Sequence, residues 1–259
     1  MQPLNHVVTG NAGAPSLLLI HAMGADLRFW DDCVAIWKAD YRCIACDLRS
    51  AGKSPKGTAP VTIDDHVRDL LALLDETRTK TVVAVACAVG TMVVAALAAR
   101  HPERVTGLVL ANATPATAER AKAMLLERAD LVRRSGMAAT LPGAVERPFL
   151  EQPKDARYRA YLDRFAAQDA DAYAWSLLGF AEANVEKDLP AVRCAALIVA
   201  ARHDVLLPPE QAQLVHRAIP GSRYMLFEDA AHFLPYQAPE RFAAVVREFI
   251  EDVRDPSAE

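Results

Sequence analysis

Glycine is scarce in this 259-residue chain, 11 residues or about 4% against roughly 7% in average proteins. That excludes a collagen-like repeat and any Gly-rich linker. Charge of one sign is also missing. The chain has 29 basic and 33 acidic residues, a net of −4, and no Lys or Arg run, which argues against a nucleic-acid partner. No apolar stretch reaches the roughly 18 residues of a membrane span, and residues 1–10 carry neither a basic start nor an apolar run before a small-residue cleavage site. A cytoplasmic location without membrane partners is the expectation. Five scattered cysteines make no disulfide framework. Cys43 and Cys46 have C-x-x-C spacing but sit in the strand-like run Tyr41 to Leu48 with no second pair nearby, so buried thiols are expected rather than a metal or redox centre.

What remains is a globular composition, 52% hydrophobic and 24% charged. Its length suits one or two domains. Short apolar runs alternate with helical patterns, which argues for a mostly parallel sheet covered by helices on both faces. The strand candidates are Ser16 to His21, Arg42 to Asp47, Thr81 to Cys87, Thr106 to Ala111, Ala195 to Ala200 and Arg223 to Phe227, with a possible first strand over Leu4 to Thr9. Nearly all are continuously apolar, as strands buried on both faces are. Thr62 reads as the N-cap of a helix with an apolar stripe through Ile63, Val67, Leu70, Leu71 and Leu74. Helices are also expected over Gly90 to Arg100 and around Phe242 to Ile250. Residues 115–187 break the alternation with several helical stretches and no convincing strand. They read as a helical cap inserted into a core formed by 1–114 and 188–259. That insertion holds 11 basic and 11 acidic side chains, so its surface as a whole shows no preference for an anion.

The segment Ala86-Cys87-Ala88-Val89-Gly90 runs from a buried strand straight into a helix. It resembles the G-x-S-x-G nucleophile elbow of the α/β-hydrolase superfamily, with Ala88 at the apex. Shifting the register to put Cys87 there would place Val85 and Val89 where small residues are needed. It would also break the match to the following helix and its "RHPERV" exit. Three further motifs stand at the expected places: His21-Ala22-Met23-Gly24 resembles the oxyanion loop, Asp47 to Ser54 resembles "DxRGHGxS", and Asp204 and His232 follow in the order of the acid and the base. The resemblance implies that Met23 and Val89 supply oxyanion N–H donors, that His232 is the general base and that Asp204 orients it. Ala22, Ser50, Ala86 and Thr91 stand where the family often has Gly.

Within that superfamily the chain is most similar to 3-oxoadipate enol-lactonase-like esterases and lactonases, through Gly24 to Trp30, Ser135 to Ala138 and Tyr158 to Asp188. This resemblance implies hydrolysis of a small carboxylic ester or lactone through an acyl-enzyme, with no metal and no cofactor. Amide or C–C bond hydrolysis is the alternative on the same machinery. The pocket would be lined by some of Trp175, Leu178, Phe149 and Phe165, with Arg133, Arg134 or Arg147 meeting a substrate carboxylate. Alanine at the apex has two readings. Either Ser is the natural residue and the chain carries a Ser-to-Ala change, favoured by the retained Asp204 and His232, or a natural member has given up hydrolysis for binding or non-covalent chemistry. In both cases this chain is expected to hydrolyse little.

Overall fold

A computed structural model describes residues 2–254. Seven strands form a single sheet: β1 (His6–Gly10), β2 (Ser16–Ile20), β3 (Arg42–Cys46), β4 (Val82–Cys87), β5 (Val105–Ala111), β6 (Ala195–Ala201) and β7 (Arg223–Phe227). Their order is β1-β3-β2-β4-β5-β6-β7, and every pairing is parallel except β1 with β3. The period of two along each strand divides the core. Leu17 and Leu19 of β2 join one cluster and Leu18 and Ile20 the other. The same period sends Cys43 and Cys46 to opposite faces of β3, so the C-x-x-C pair has no shared ligand position.

Helix α1 (Asp31–Trp37) and the last helix of the chain share one face, while α2 (Ile63–Glu76) and α3 (Val89–Arg100) pack together on the other. Thr62 caps α2 through a reciprocal capping box with Asp65, two otherwise unpaired donors satisfied together. Between β5 and β6 the chain forms α4 (Glu119–Ser135), α5 (Ala156–Ala166) and α6 (Ala170–Ala181), with short 3-10 and π-helical turns between α4 and α5. The two ends of this insertion meet in a neck. Ala116 pairs with Asn184 in an isolated bridge, Thr117 N–H donates to Ala183 O at 2.9 Å and Val185 N–H to Pro115 O at 2.9 Å. Helix α6 lies against the loop before α2, where a Cβ on Gly179 would fall 1.9 Å from the Val61 carbonyl oxygen. The chain ends with α7 (Pro209–Ala218), the short α8 (Leu234–Gln237) and α9 (Pro239–Arg254). No helix among the described residues is long and apolar enough to cross a membrane.

Candidate active site

The β4–α3 junction bends sharply at Ala88, whose φ of 52° and ψ of −122° lie where few L-residues are found. The neighbours hold it there. Ala88 N–H donates to Ala111 O at 2.9 Å, its carbonyl accepts from Thr91 N–H at 3.0 Å, and Gly90 passes so close to β2 that a Cβ would meet His21 O at 2.8 Å. Ala88 thus presents its methyl group to a cavity of about 400 Å³ at the end of the sheet.

The loop after β6 carries Asp204 and the loop after β7 carries His232. Asp204 Oδ2 meets His232 Nδ1 at 2.9 Å, and Asp204 Oδ1 accepts from the backbone N–H groups of Leu206 and Leu207, each at 2.8 Å. The carboxylate side chain is fully shielded and the imidazole nearly so. Such an arrangement fixes the ring and puts the Nδ1 proton on the carboxylate side, leaving Nε2 as the free basic nitrogen. His232 lines the cavity that Ala88 faces.

The loop after β2 is fastened from several sides. His21 Nδ1 donates to Ala22 O at 2.8 Å while Nε2 accepts from Leu48 N–H at 3.0 Å. Gln168 Nε2 donates to Gly24 O at 2.6 Å, and Phe165 packs on Gly24, whose φ of 74° and missing Cβ allow the approach. Met23 and Val89, the expected oxyanion donors, both line the cavity beside His232. Asp47 ties the next motif together by accepting from Leu27 N–H, Lys53 N–H and Asn5 Nδ2 at 2.7 to 2.8 Å. Arg49 pairs with buried Asp69, a structural contact.

The expected lining is revised. Of Trp175, Leu178, Phe149, Phe165, Arg133, Arg134 and Arg147, only Arg147 borders the cavity. Phe149 sits in an aromatic cluster with Tyr158, Tyr161, Phe233 and Tyr236. Phe165 packs on Gly24 and Tyr173, and Leu178 is half-buried against the core. Arg133 stacks over Trp175 at 4.2 Å, on a side of α4 away from the cavity, and Arg134 is exposed. The groups that do line it, unanticipated from sequence, include Arg120, Met124 and Arg128 at i, i+4 and i+8 on α4. That spacing was a readable signal once α4's orientation was known.

Cys87 points away from the cavity side of the turn into the core. Its Sγ donates to His232 O at 3.6 Å, and burial pushes the thiol well above its ordinary value. A thiol so disposed is a poor nucleophile. Asn112, at the end of β5, donates from Nδ2 to the carbonyls of Ala231 and His232, both at 2.9 Å, and so braces the His232 loop.

Comparison with known proteins agrees with this architecture. Residues 15–153 match the α/β-hydrolase fold family. The chain is 28% identical over 243 residues to 3-oxoadipate enol-lactonase 2 of Acinetobacter baylyi, covering 92% of this chain and 90% of that one. It is 29% identical over 256 residues to a Variovorax paradoxus protein named "Putative carbamate hydrolase RutD", covering 90% and 88%. Among solved structures, the enol-lactonase of Burkholderia xenovorans LB400 superposes with a TM-score of 0.91 at 26% identity over 96% of both chains. A sheet in this order, a strained turn between β4 and α3 and a family match spanning more than half of the residues lead to one conclusion: the chain belongs to the α/β-hydrolase fold family.

Proposed function

We propose that the cavity is the active site of a small-ester or lactone hydrolase in which Ala88 occupies the nucleophile position, so that this chain as written cannot form an acyl-enzyme. The observation that carries the reading is the shielded Asp204–His232 pair, 2.9 Å apart, on the wall of the cavity that Ala88 faces. With a hydroxyl at position 88, His232 Nε2 accepts its proton as the oxygen attacks the substrate carbonyl. Asp204 stabilises the resulting imidazolium, and the N–H groups of Met23 and Val89 receive the developing oxyanion. His232 then returns the proton to the leaving group, and water repeats the cycle on the acyl-enzyme. A methyl group has no proton to give and no lone pair to attack with. The names of the relatives, an enol-lactonase and a carbamate hydrolase, support a small carbonyl substrate and keep amide-type bonds in the panel.

A second reading, a natural member that binds without hydrolysing, is favoured by one observation. Ala86 and Thr91 also stand where the family often has Gly, and a lone Ser-to-Ala change at position 88 does not account for them. The deciding experiment compares this chain with Ala88→Ser on a panel of small esters, lactones and amides. Removing a nucleophile costs on the order of 10⁶ in turnover in a serine protease. Ala88→Ser is therefore expected to gain several orders of magnitude over a silent parent. A folded Ala88→Ser protein as silent as the parent would refute the hydrolase reading and leave the binding one.

A further inference from the structure

Three polar atoms around the β4–α3 turn have no partner among the described residues. Met23 N–H and Val89 N–H, the latter at the start of α3, bond to no acceptor. His232 Nε2 bonds to no donor, although the residue is more than nine-tenths buried and its Nδ1 is held by Asp204 at 2.9 Å. The unpartnered nitrogens of His66 are sealed in the core, whereas Nε2 of His232 opens on the cavity. The direction of Met23 N–H is imposed by its neighbours. Leu48 N–H can only donate, so His21 Nε2 accepts and Nδ1 carries the proton given to Ala22 O. Ala22 O also accepts from Ala25 N–H at 3.1 Å. The peptide joining Ala22 to Met23 is trans and planar, so Met23 N–H points the opposite way from that pinned carbonyl. One base and two anion-binding donors thus border a single cavity. Much of the remaining wall, Met92, Met124, Leu125, Leu207 and Phe233, is apolar, and hydrogen bonds made in such surroundings are strengthened. The methyl group of Ala88 neither occupies Nε2 with a hydroxyl proton nor attacks a substrate.

We infer that the chain as it stands is a proton-transfer enzyme, one that enolises small uncharged carbonyl compounds carrying a hydrogen on the adjacent carbon. His232 Nε2 takes that proton. The electron pair of the broken C–H bond forms a carbon–carbon double bond, and the carbonyl π pair moves to oxygen, where Met23 and Val89 N–H receive the negative charge. Asp204 stabilises the imidazolium, which then returns a proton to carbon and restores the carbonyl. No bond to the protein forms and no co-reactant is consumed. The inference rests on the reading of the cavity as an active site, but it needs no hydroxyl at position 88.

A ketone has no leaving group, so it separates this activity from hydrolysis. Cyclohexanone would be incubated with the parent chain in D2O, and loss of its α-hydrogen signal followed by NMR against free imidazole at the same concentration. The parent is expected to exchange these hydrogens at least about 100-fold faster than free imidazole, the lower end of what a positioned general base gives. His232→Gln should abolish the gain, and His101→Gln, at the far end of α3, should leave it intact. Should His232→Gln fail to fold, Asp204→Asn carries the test and should slow exchange at least about ten-fold. Exchange no faster than with free imidazole, or exchange that survives loss of the His232 ring or of the Asp204 carboxylate, overturns the inference. So does a parent that hydrolyses esters through His232 yet leaves ketone hydrogens in place, since the base would then be acting on water. An Ala88→Ser protein that hydrolyses esters beside a parent that exchanges nothing sinks the inference alone. Exchange by the parent beside a folded but silent Ala88→Ser protein sinks the hydrolase reading alone.

Discussion

His66 sets up an acid sensitivity that follows from its surroundings. It sits on the inner face of α2, fully buried, with its ring stacked on Phe180 at 5.2 Å and neither ring nitrogen hydrogen-bonded. Burial lowers its pKa from 6.5 to about 3, with nearby His21 and Arg49 acting in the same direction and Asp65 opposing. In the unfolded chain the ring takes up a proton near pH 6.5; in the folded chain it stays neutral until far lower. The unfolded state therefore binds more protons between these values, and stability present above pH 6.5 is lost as the pH falls toward 3. Between pH 7 and pH 5 this single group removes about 2 kcal/mol. Because pH 5 lies well above the folded value, that magnitude depends almost entirely on the unfolded one. Urea unfolding of the parent and of His66→Phe at the two pH values isolates the contribution, since the carboxylates are common to both. His66→Phe keeps the ring stack and removes two buried, unpaired nitrogens, so at pH 7 it should be at least as stable as the parent. At pH 5 its advantage should widen by about 2 kcal/mol. An advantage that stays constant across the pH range, or an imidazole that titrates near 6.5 in the folded protein by NMR, would show that burial does not hold His66 neutral.

Two further outcomes follow from contacts already described. In an Ala88→Ser background that hydrolyses esters, Asp204→Asn should lower kcat by on the order of 10⁴ with the fold intact, because the amide no longer enforces the Nδ1–H tautomer of His232; a loss below about ten-fold in steady-state kinetics would remove Asp204 from the mechanism. Gly179→Ala should destabilise the protein by about 1–3 kcal/mol or more in urea melts, since its Cβ would fall 1.9 Å from Val61 O and force α6 off the loop. An unchanged midpoint would mean that α6 does not press on that loop.

The sheet was legible because its strands are buried on both faces and so are written as unbroken apolar runs. Ser16–Ile20, Arg42–Cys46 and Val82–Cys87 begin and end within a residue of the sequence expectation. The edge strand β1 was vaguer, since Val7 and Val8 are exposed and give no such run. Asp204 and His232 could be singled out because they follow the elbow in the order of the acid and the base, each in a segment that resembles the family's motif, and the geometry brings them together. The cavity wall was another matter. Phe149 and Phe165 look like pocket residues by composition, but rings of that size can equally well satisfy one another, and here they do. Arg128 could not be told from Arg133 without the rotation of α4. Five residues advance a helix by about 500°, nearly opposite sides of the cylinder, so one guanidinium faces the cavity and the other stacks on Trp175.

The backbone geometry at Ala88 is what lets one substitution test the proposed function. A residue held at φ 52° and ψ −122° costs on the order of 1–3 kcal/mol and persists only where its surroundings over-determine it. At Ala88 they do so without help from its side chain. The bond from its N–H to Ala111, the bond from Thr91 to its carbonyl and the close passage of Gly90 against His21 belong to the junction of β4 with α3. The turn therefore exists in full although a methyl group makes no use of it. Ala88→Ser adds one oxygen to a Cβ that already faces the cavity and asks for no backbone movement, so its kinetics report on chemistry rather than on refolding of the site. If instead the turn were being held open by something the serine would displace, Ala88→Ser would change the free energy of unfolding by more than about 1 kcal/mol, and that measurement should precede the kinetic one.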